Sequence, residues 1–136
     1  MIRPLMRDPL FLSQKSVEAT PNDLPVLTDL LDTLRSHQEH CAGMAANMIG
    51  AKKRIIAFFV GPMAMGMINP EIISQQGPYE TEEGCLSLTG VRKTTRYQTI
   101  EVSYQDATFQ KRQMTYTGWI AQVIQHEIDH CNGILI

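Results

Sequence analysis

The sequence predicts an α+β fold in which antiparallel β-sheets pack around a C-terminal helix, with a second helix near the N-terminus. Three observations favour this class. Leucines recur at helical spacing between residues 24 and 34, and helical spacing returns after Gly118. Between these segments, short stretches rich in β-branched and aromatic residues follow one another without helices. Consecutive strands favour an antiparallel sheet, because parallel strands are joined by helices.

The composition is typical of a single globular domain, which we expect to span residues 1–136 because no repeat or linker interrupts the chain. Hydrophobic residues make up 43%, charged residues 19%, and the net charge is -2. This balance argues against electrostatic binding to nucleic acid or anionic lipid. No targeting segment is visible, and no apolar stretch is long enough to span a bilayer. We therefore expect a cytoplasmic protein with reduced cysteines.

The N-terminal part is predicted to contain one helix. Residues 1–20 are expected to be extended or irregular, because two prolines oppose helix formation. The helix should begin near Asn22 or Asp23, since either side chain can cap it, with Pro25 in the first turn where a missing N–H costs little. It should end around residues 37–40.

Strands are predicted in the middle of the chain. Residues 41–51 are rich in small residues and should end in a turn. The segments with strand composition are residues 53–60, 63–70, 99–105 and 110–117, with a hairpin loop at 106–108. No strand is predicted between residues 81 and 97, and a short final strand is predicted at residues 134–136.

The last helix is predicted to run from Gly118 to about Gly133, and it contains an H-E-x-x-H pattern at His126 to His130. Residues four apart lie on one helix face, so the two imidazoles point to the same place beside Glu127. Two histidines supply only half of a tetrahedral metal site. The alternative is a helix that carries two packed or exposed histidines.

A third ligand must come from elsewhere in the chain. Cys85 is a candidate because Gly84 before it lets the backbone approach closely. One cysteine and two histidines leave a fourth position open for water. Cys131 should point about 100° away from His130 around the helix, whereas spacing alone does not exclude Cys41. A free cysteine is also commonly a small buried apolar residue.

Three segments together resemble the signature motifs of the peptide deformylases. Glu83-Gly84-Cys85-Leu86-Ser87 matches the second motif, residues 126–130 match the third, and residues 41–50 are similar to the first. Their order and spacing agree with that family over residues 4–135. The resemblance implies a hydrolase that removes the N-formyl group from the N-terminal formyl-methionine of nascent polypeptides.

The resemblance also implies the chemistry of the site. Cys85, His126 and His130 would bind one divalent metal ion, usually Fe²⁺, with Zn²⁺, Ni²⁺ or Co²⁺ able to replace it. A metal-bound hydroxide would attack the formyl carbon, with Glu127 as the general acid/base. The implied partners are formyl-methionyl nascent peptides and, further, the ribosome. The sequence ends soon after His130, so we expect no C-terminal extension that contacts the ribosome.

The first motif departs from the family pattern. In relatives a glutamine side chain and the backbone N–H at the position of Leu86 stabilise negative charge on the formyl oxygen. Here Met48 replaces the glutamine, and a thioether cannot donate a hydrogen bond. Loss of one such donor typically slows the reaction by about 10²–10³. Asn47 could substitute only if the segment is rearranged, because neighbouring residues of an extended backbone point to opposite sides.

Three functions are therefore open. The first is a deformylase with a weakened or rebuilt oxyanion hole. The second is a weakly active or inactive paralogue that binds peptide or another N-acylated substrate. The third is a non-enzymatic protein with a structural metal, which Glu127 disfavours because such a site needs no acid/base residue.

The resemblance places further residues around the site. Arg96 is expected to support it through Glu83 or Asp129. The expected substrate-binding residues are Ala42, Gly43, Thr81, Gly84, Trp119, Gln122 and Val123.

Overall fold

The computed structural model describes residues 1–136 and has the α+β architecture predicted from the sequence. All five strands form one antiparallel sheet in chain order β1-β2-β3-β4-β5, so the expectation of more than one sheet is wrong. The helices are α1 (Pro9–Leu12), α2 (Leu24–Ser36) and α3 (Gly118–Cys131), with 3-10 turns at Pro21–Asp23 and Ala46–Ile49. The strands are β1 (Gly43–Ala45), β2 (Ile55–Val60), β3 (Met63–Cys85), β4 (Leu88–Gln105) and β5 (Lys111–Thr117). None of the helices is both long and apolar enough to cross a membrane.

Helix α2 begins with Pro25 in its first turn, close to the predicted start. The backbone N–H of Thr20 donates to Asp23 Oδ2 over 2.9 Å, which completes a capping box just before it. The expectation that Pro9 opposes helix formation is wrong. Pro9 is the first residue of α1, where no N–H is needed, and the side chain of Asp8 caps that helix by accepting from Leu10 N–H.

Strands β3 and β4 form a long hairpin that the sequence did not predict between residues 81 and 97. Glu82 pairs with Lys93 and Thr81 with Thr94, and only residues 86–87 separate the two strands. This part of the hairpin lacks apolar alternation because most of its residues face solvent. The predicted final strand at residues 134–136 is absent, and the hairpin loop before β5 covers residues 106–110.

Strand β2 is buried on both faces, between α2 and α3. Ile55 and Ala57 belong to the core cluster on the α2 side, whereas Ile56 and Phe58 belong to the cluster on the α3 side. A strand covered on both faces has a continuous apolar run, as in IIAFFV. Strand β1 pairs with β2, and α3 packs on β2 through Ala121, Val123, Ile124 and Ile128, so both elements have fixed positions beside this strand.

Candidate metal centre

Three side chains converge where the end of β3 meets α3. Cys85 is the last residue of β3, and His126 and His130 lie one turn apart in α3. One ligand atom from each residue lies within 4.8 Å of the other two. The Nε2 atoms of the two histidines are 3.2 Å apart. A thiolate and two imidazole nitrogens in this arrangement fit a tetrahedral ion with one position open to solvent.

The other two cysteines lie outside this group. Cys41 lines the same cavity, but its thiol donates to the carbonyl oxygen of Gly43 over 2.8 Å. Burial raises the pKa of Cys41 to about 12, with further contributions from the charges of Glu127 and Cys85. Cys131 packs in the core cluster on the α3 side, and burial raises its pKa to about 12 as well. Thiols that keep their protons are poor metal ligands.

Glu83 of β3 orients the first histidine. His126 donates its Nδ1–H to Glu83 Oε1 over 2.8 Å, which directs Nε2 towards the ligand group. Arg96 of β4 binds Glu83 Oε1 and Asp129 Oδ2, each over 2.7 Å, and Gln122 Nε2 donates to Glu83 Oε2 over 2.8 Å. Burial alone would raise the pKa of Glu83, but hydrogen bonds from His126, Arg96 and Gln122 lower it to about 2.

The two histidines differ in their affinity for a proton. Burial lowers the pKa of His130 to about 3, assisted by the positive charge of His126. Burial also opposes the charged form of His126, but hydrogen bonds with Cys85 and Glu83 raise its pKa to about 10. The negative groups around His126 therefore favour a cation at this point. The same field would stabilise a metal ion in place of the proton.

Glu127 is buried beside the ligand group and has no structural partner. Its Oε1 atom makes no hydrogen bond, and its Oε2 atom lies 3.1 Å from where a Cβ on Gly43 would be. Burial raises the pKa of the Glu127 carboxyl to about 7. A carboxyl group with a pKa near the working pH is suited to general acid–base catalysis.

A cavity of about 660 Å³ lies beside this group and is lined by Cys85, His126 and Glu127, among others. Six of the seven predicted substrate-binding residues line it, and Trp119, which is 65% exposed, stands at its mouth. Thr81 is the exception, because it precedes Glu83 by two residues on β3 and so lies about 7 Å farther from the cavity end of that strand. Further lining residues that the sequence did not indicate are Gln38, Glu39, His40, Phe59, Gly61, Pro62 and Glu82.

Met48 and Leu86 both line this cavity. Met48 is buried in the core cluster on the α2 side, within the 3-10 turn Ala46–Ile49. The segment is thus not extended, but Asn47 still does not replace the missing donor. Its Nδ2 donates to the carbonyl oxygen of His130 over 2.9 Å, so the amide holds this turn against α3.

The N-terminal segment contacts two residues that line the cavity, Met48 and Leu86, which no sequence pattern indicated. The backbone N–H of Met6 donates to the carbonyl oxygen of Met48 over 2.7 Å. The guanidinium of Arg7 donates to the carbonyl oxygen of Leu86 over 2.9 Å, across 79 residues of sequence. Contacts between residues so far apart in the sequence produce no local periodicity. The sequence alone therefore could not predict them.

Comparison with known proteins gives a consistent result. The family model for polypeptide deformylase matches residues 2–136. A peptide deformylase of Clostridium beijerinckii is 59% identical over 136 residues, which cover 100% of both chains. The crystal structure of a peptide deformylase from Legionella pneumophila has a TM-score of 0.88 at 31% identity, covering 99% of this chain and 83% of that one. A Met-Ala-Ser-bound peptide deformylase structure from Acinetobacter baumannii has a TM-score of 0.87 at 26% identity, covering 99% and 97%.

Proposed function

Because this chain belongs to the peptide deformylase family, we propose that the cavity beside α3 is the active site at which it removes N-formyl groups from the formyl-methionine of nascent polypeptides. The chain is a metal-dependent hydrolase of a linear amide. The observation that carries the assignment of its site is the convergence of Cys85, His126 and His130 beside the buried carboxyl of Glu127. A structural metal site would have no use for an unpartnered acid at that position.

Cys85, His126 and His130 are the proposed metal ligands. An ion held by these three residues would supply Lewis acidity for activating water and polarising the formyl group. We propose Fe²⁺ as the metal in the cell, with Zn²⁺ or Ni²⁺ able to occupy the same set, because imidazole suits all three metals and thiolates bind zinc and iron well. Glu83 serves the site by fixing the ring of His126.

Glu127 is the proposed general acid/base. Its unpartnered Oε1 is free to accept the proton of the attacking water and then deliver it to the departing amine. Its pKa of about 7 supports both roles near neutral pH, since the group can hold or release a proton at little cost. Burial keeps competing solvent away from this transfer.

Fewer hydrogen-bond donors are available here than in the family pattern to stabilise the negative charge that develops on the formyl oxygen. The backbone N–H of Leu86 is the proposed donor, and the thioether of Met48 cannot be a second one. We therefore propose a slower chemical step than in a deformylase with both donors. Met48 also favours one alternative function, a weakly active paralogue that binds formyl peptides or another N-acylated substrate with little turnover.

The substrate would lie along the cavity with its backbone beside Gly43 and Gly84. Both residues lack a side chain at the cavity wall, and β1 is an edge strand of the sheet. An extended peptide can hydrogen-bond to such an edge. Ala42, Trp119, Gln122 and Val123 are proposed to contact the methionine side chain. Because the substrate is a nascent chain, we propose that the protein acts in the cytoplasm near the ribosome.

A formate-release assay tests this proposal. Protein loaded with Fe²⁺ without oxygen should release formate from a formyl-Met-Ala-Ser peptide, and the Glu127→Gln variant should bind the same amount of metal but release almost none. The Glu101→Gln variant, whose carboxyl lies outside the cavity, is the matched control and should behave as wild type. Fully metallated wild type that makes no more formate than Glu127→Gln would contradict the proposal. Tight peptide binding without formate would instead support the inactive paralogue.

A further inference from the structure

Two consecutive residues of the N-terminal segment bind the backbone of two residues in the wall of the cavity. Met6 N–H binds the carbonyl oxygen of Met48, and the Arg7 guanidinium binds the carbonyl oxygen of Leu86. Met48 and Leu86 belong to different elements, a 3-10 turn before β2 and the tip of the β3–β4 hairpin. The segment Met6–Arg7 therefore links two walls of the cavity that the sheet alone does not connect.

The wall at Leu86 is the one that needs support. Leu86 and Ser87 form a two-residue loop between Cys85 and Leu88, directly after an irregularity in strand pairing at Gly84 and Cys85. The Oγ atom of Ser87 is buried without a hydrogen-bond partner, so this side chain does not fix the loop. Within the loop, the only side-chain hydrogen bond to a backbone atom comes from Arg7.

The orientation of this loop matters for the reaction. The N–H of Leu86 lies in the peptide plane before its Cα and the carbonyl in the plane after it. An anchor on the carbonyl therefore limits the movement of the short loop that presents the N–H. In a site where Met48 supplies no donor, that N–H is the one hydrogen-bond donor proposed for the formyl oxygen. Misplacement of a reacting group by about 1 Å can cost about 10²-fold in rate.

We propose that Arg7 is a positioning residue for deformylation, which anchors the Leu86–Ser87 loop so that the Leu86 N–H faces the formyl oxygen. This inference rests on the proposed function. Arg7 acts through the loop and does not touch substrate. Because the contact helps the transition state more than the bound substrate, its loss lowers kcat and kcat/KM together and leaves KM nearly unchanged.

Kinetics of Arg7 variants test the inference. For Arg7→Gln we expect kcat to fall about 10-fold to 100-fold, with KM within about twofold of wild type. Arg7→Lys keeps the charge and a donor but loses the planar fork, and should recover part of the rate. Arg112→Gln is the matched control. Arg112 is exposed, as Arg7 is, but it lies on β5 and its one partner is the carboxylate of Asp106 in the β4–β5 loop. A loss of rate in Arg112→Gln equal to that in Arg7→Gln would overturn the inference, as would unchanged kcat in Arg7→Gln.

A second measurement does not depend on activity. In zinc-loaded, ¹⁵N-labelled protein, the amide order parameters of Leu86 and Ser87 should fall from about 0.85 towards 0.6 in Arg7→Gln, and stay high in Arg112→Gln. Unchanged order parameters would overturn the inference. Wild type that releases no formate would contradict the proposed function, whereas the relaxation data would still decide whether Arg7 orders the loop.

Discussion

At the residue scale, Met48 belongs to both the core and the cavity. It is buried in the cluster around α2, and it lines the cavity that contains Glu127. As a flexible apolar side chain it packs well, but it provides no hydrogen-bond donor. The neighbouring amide of Asn47 is held by the carbonyl of His130 and cannot compensate. Methionine in place of glutamine at position 48 therefore favours packing of the core but weakens stabilisation of the negative charge on the formyl oxygen.

Restoring an amide should change both properties. We expect Met48→Gln to raise kcat by about tenfold or more, up to the 10²–10³ that one oxyanion donor is worth. We also expect lower thermal stability, since an amide buried without a partner costs about 1–3 kcal/mol. Formate release and thermal unfolding measure the two effects. Met48→Leu should not raise kcat, because leucine has no donor. Folded Met48→Gln with unchanged kcat would argue that position 48 does not face the formyl oxygen.

Gly43 is the second residue whose role is clear from its surroundings. A Cβ there would lie 2.7 Å from Val123 Cγ1 and 3.1 Å from both the Ala57 carbonyl oxygen and Glu127 Oε2. Real Cβ atoms essentially never approach as closely as the first of these distances. The absence of a side chain at Gly43 thus makes room for Val123 and for the carboxyl of Glu127, the proposed general acid/base.

Gly43→Ala should therefore push α3 away at Val123 and shift the carboxyl of Glu127 with it. We expect kcat to fall by about 10²-fold and stability to fall by about 1–3 kcal/mol from overpacking. Steady-state kinetics and urea unfolding measure these changes. The metal content should stay at the wild-type level, since no ligand is altered. Lost activity that merely follows lost metal would show that the substitution acts on the ligands and not on Glu127.

At the element scale, a buried network joins the β3–β4 hairpin to α3. Glu83 of β3 binds Arg96 of β4 and His126 of α3, and Arg96 also binds Asp129 of α3. Arg96 and Glu83 are both nearly inaccessible to solvent. Buried charges are tolerated only when they are paired and hydrogen-bonded, so the network specifies how the hairpin meets the helix.

This network should make the fold sensitive to acid. The folded pKa of Glu83 is about 2, against an ordinary value of 4.5. A depressed pKa contributes stability above pH 4.5, and that contribution is lost as the pH falls from 4.5 towards 2. With a chelator present, the melting temperature of wild type should fall more steeply between pH 5 and pH 3 than that of Glu83→Gln. If the melting temperatures of the two proteins fall in parallel with pH, the lowered pKa of Glu83 is contradicted.

At the scale of the whole molecule, strands β1, β2 and β3 each contribute to both core clusters. All five strands form one sheet. We therefore propose that residues 1–136 form one domain. Each cluster has eleven buried apolar residues, and of the three proposed metal ligands only Cys85 packs against one of them. We therefore expect most of the apolar burial to be independent of the metal.

Chelation should thus lower stability without unfolding the chain. At a free metal concentration 100 times Kd, bound metal adds about 2.7 kcal/mol to the folded state. We expect the chelated protein to keep its far-UV circular dichroism spectrum and to melt at a lower temperature. A spectrum of disordered chain after chelation would instead indicate a structural metal site.

Much of the fold and the proposed ligand set could be predicted from local patterns. The spacing in α2 and α3 and the composition of β2 predicted these elements, and helical geometry alone brought His126 and His130 to one face. The sequence motifs also singled out Cys85 over Cys41 through resemblance, and the convergence of side chains agrees with that choice. In each case the information lies within one element or one motif.

Only the tertiary structure decided the rest. The long β3–β4 hairpin is stabilised by cross-strand pairs such as Glu82 with Lys93, which become visible only once the two strands are aligned. The contact of Arg7 with Leu86 spans 79 residues, and the amide of Asn47 binds a carbonyl 83 residues away. A pattern of spacing records which face a residue occupies in its own element. Which distant group lies opposite that face is fixed only when the elements pack together.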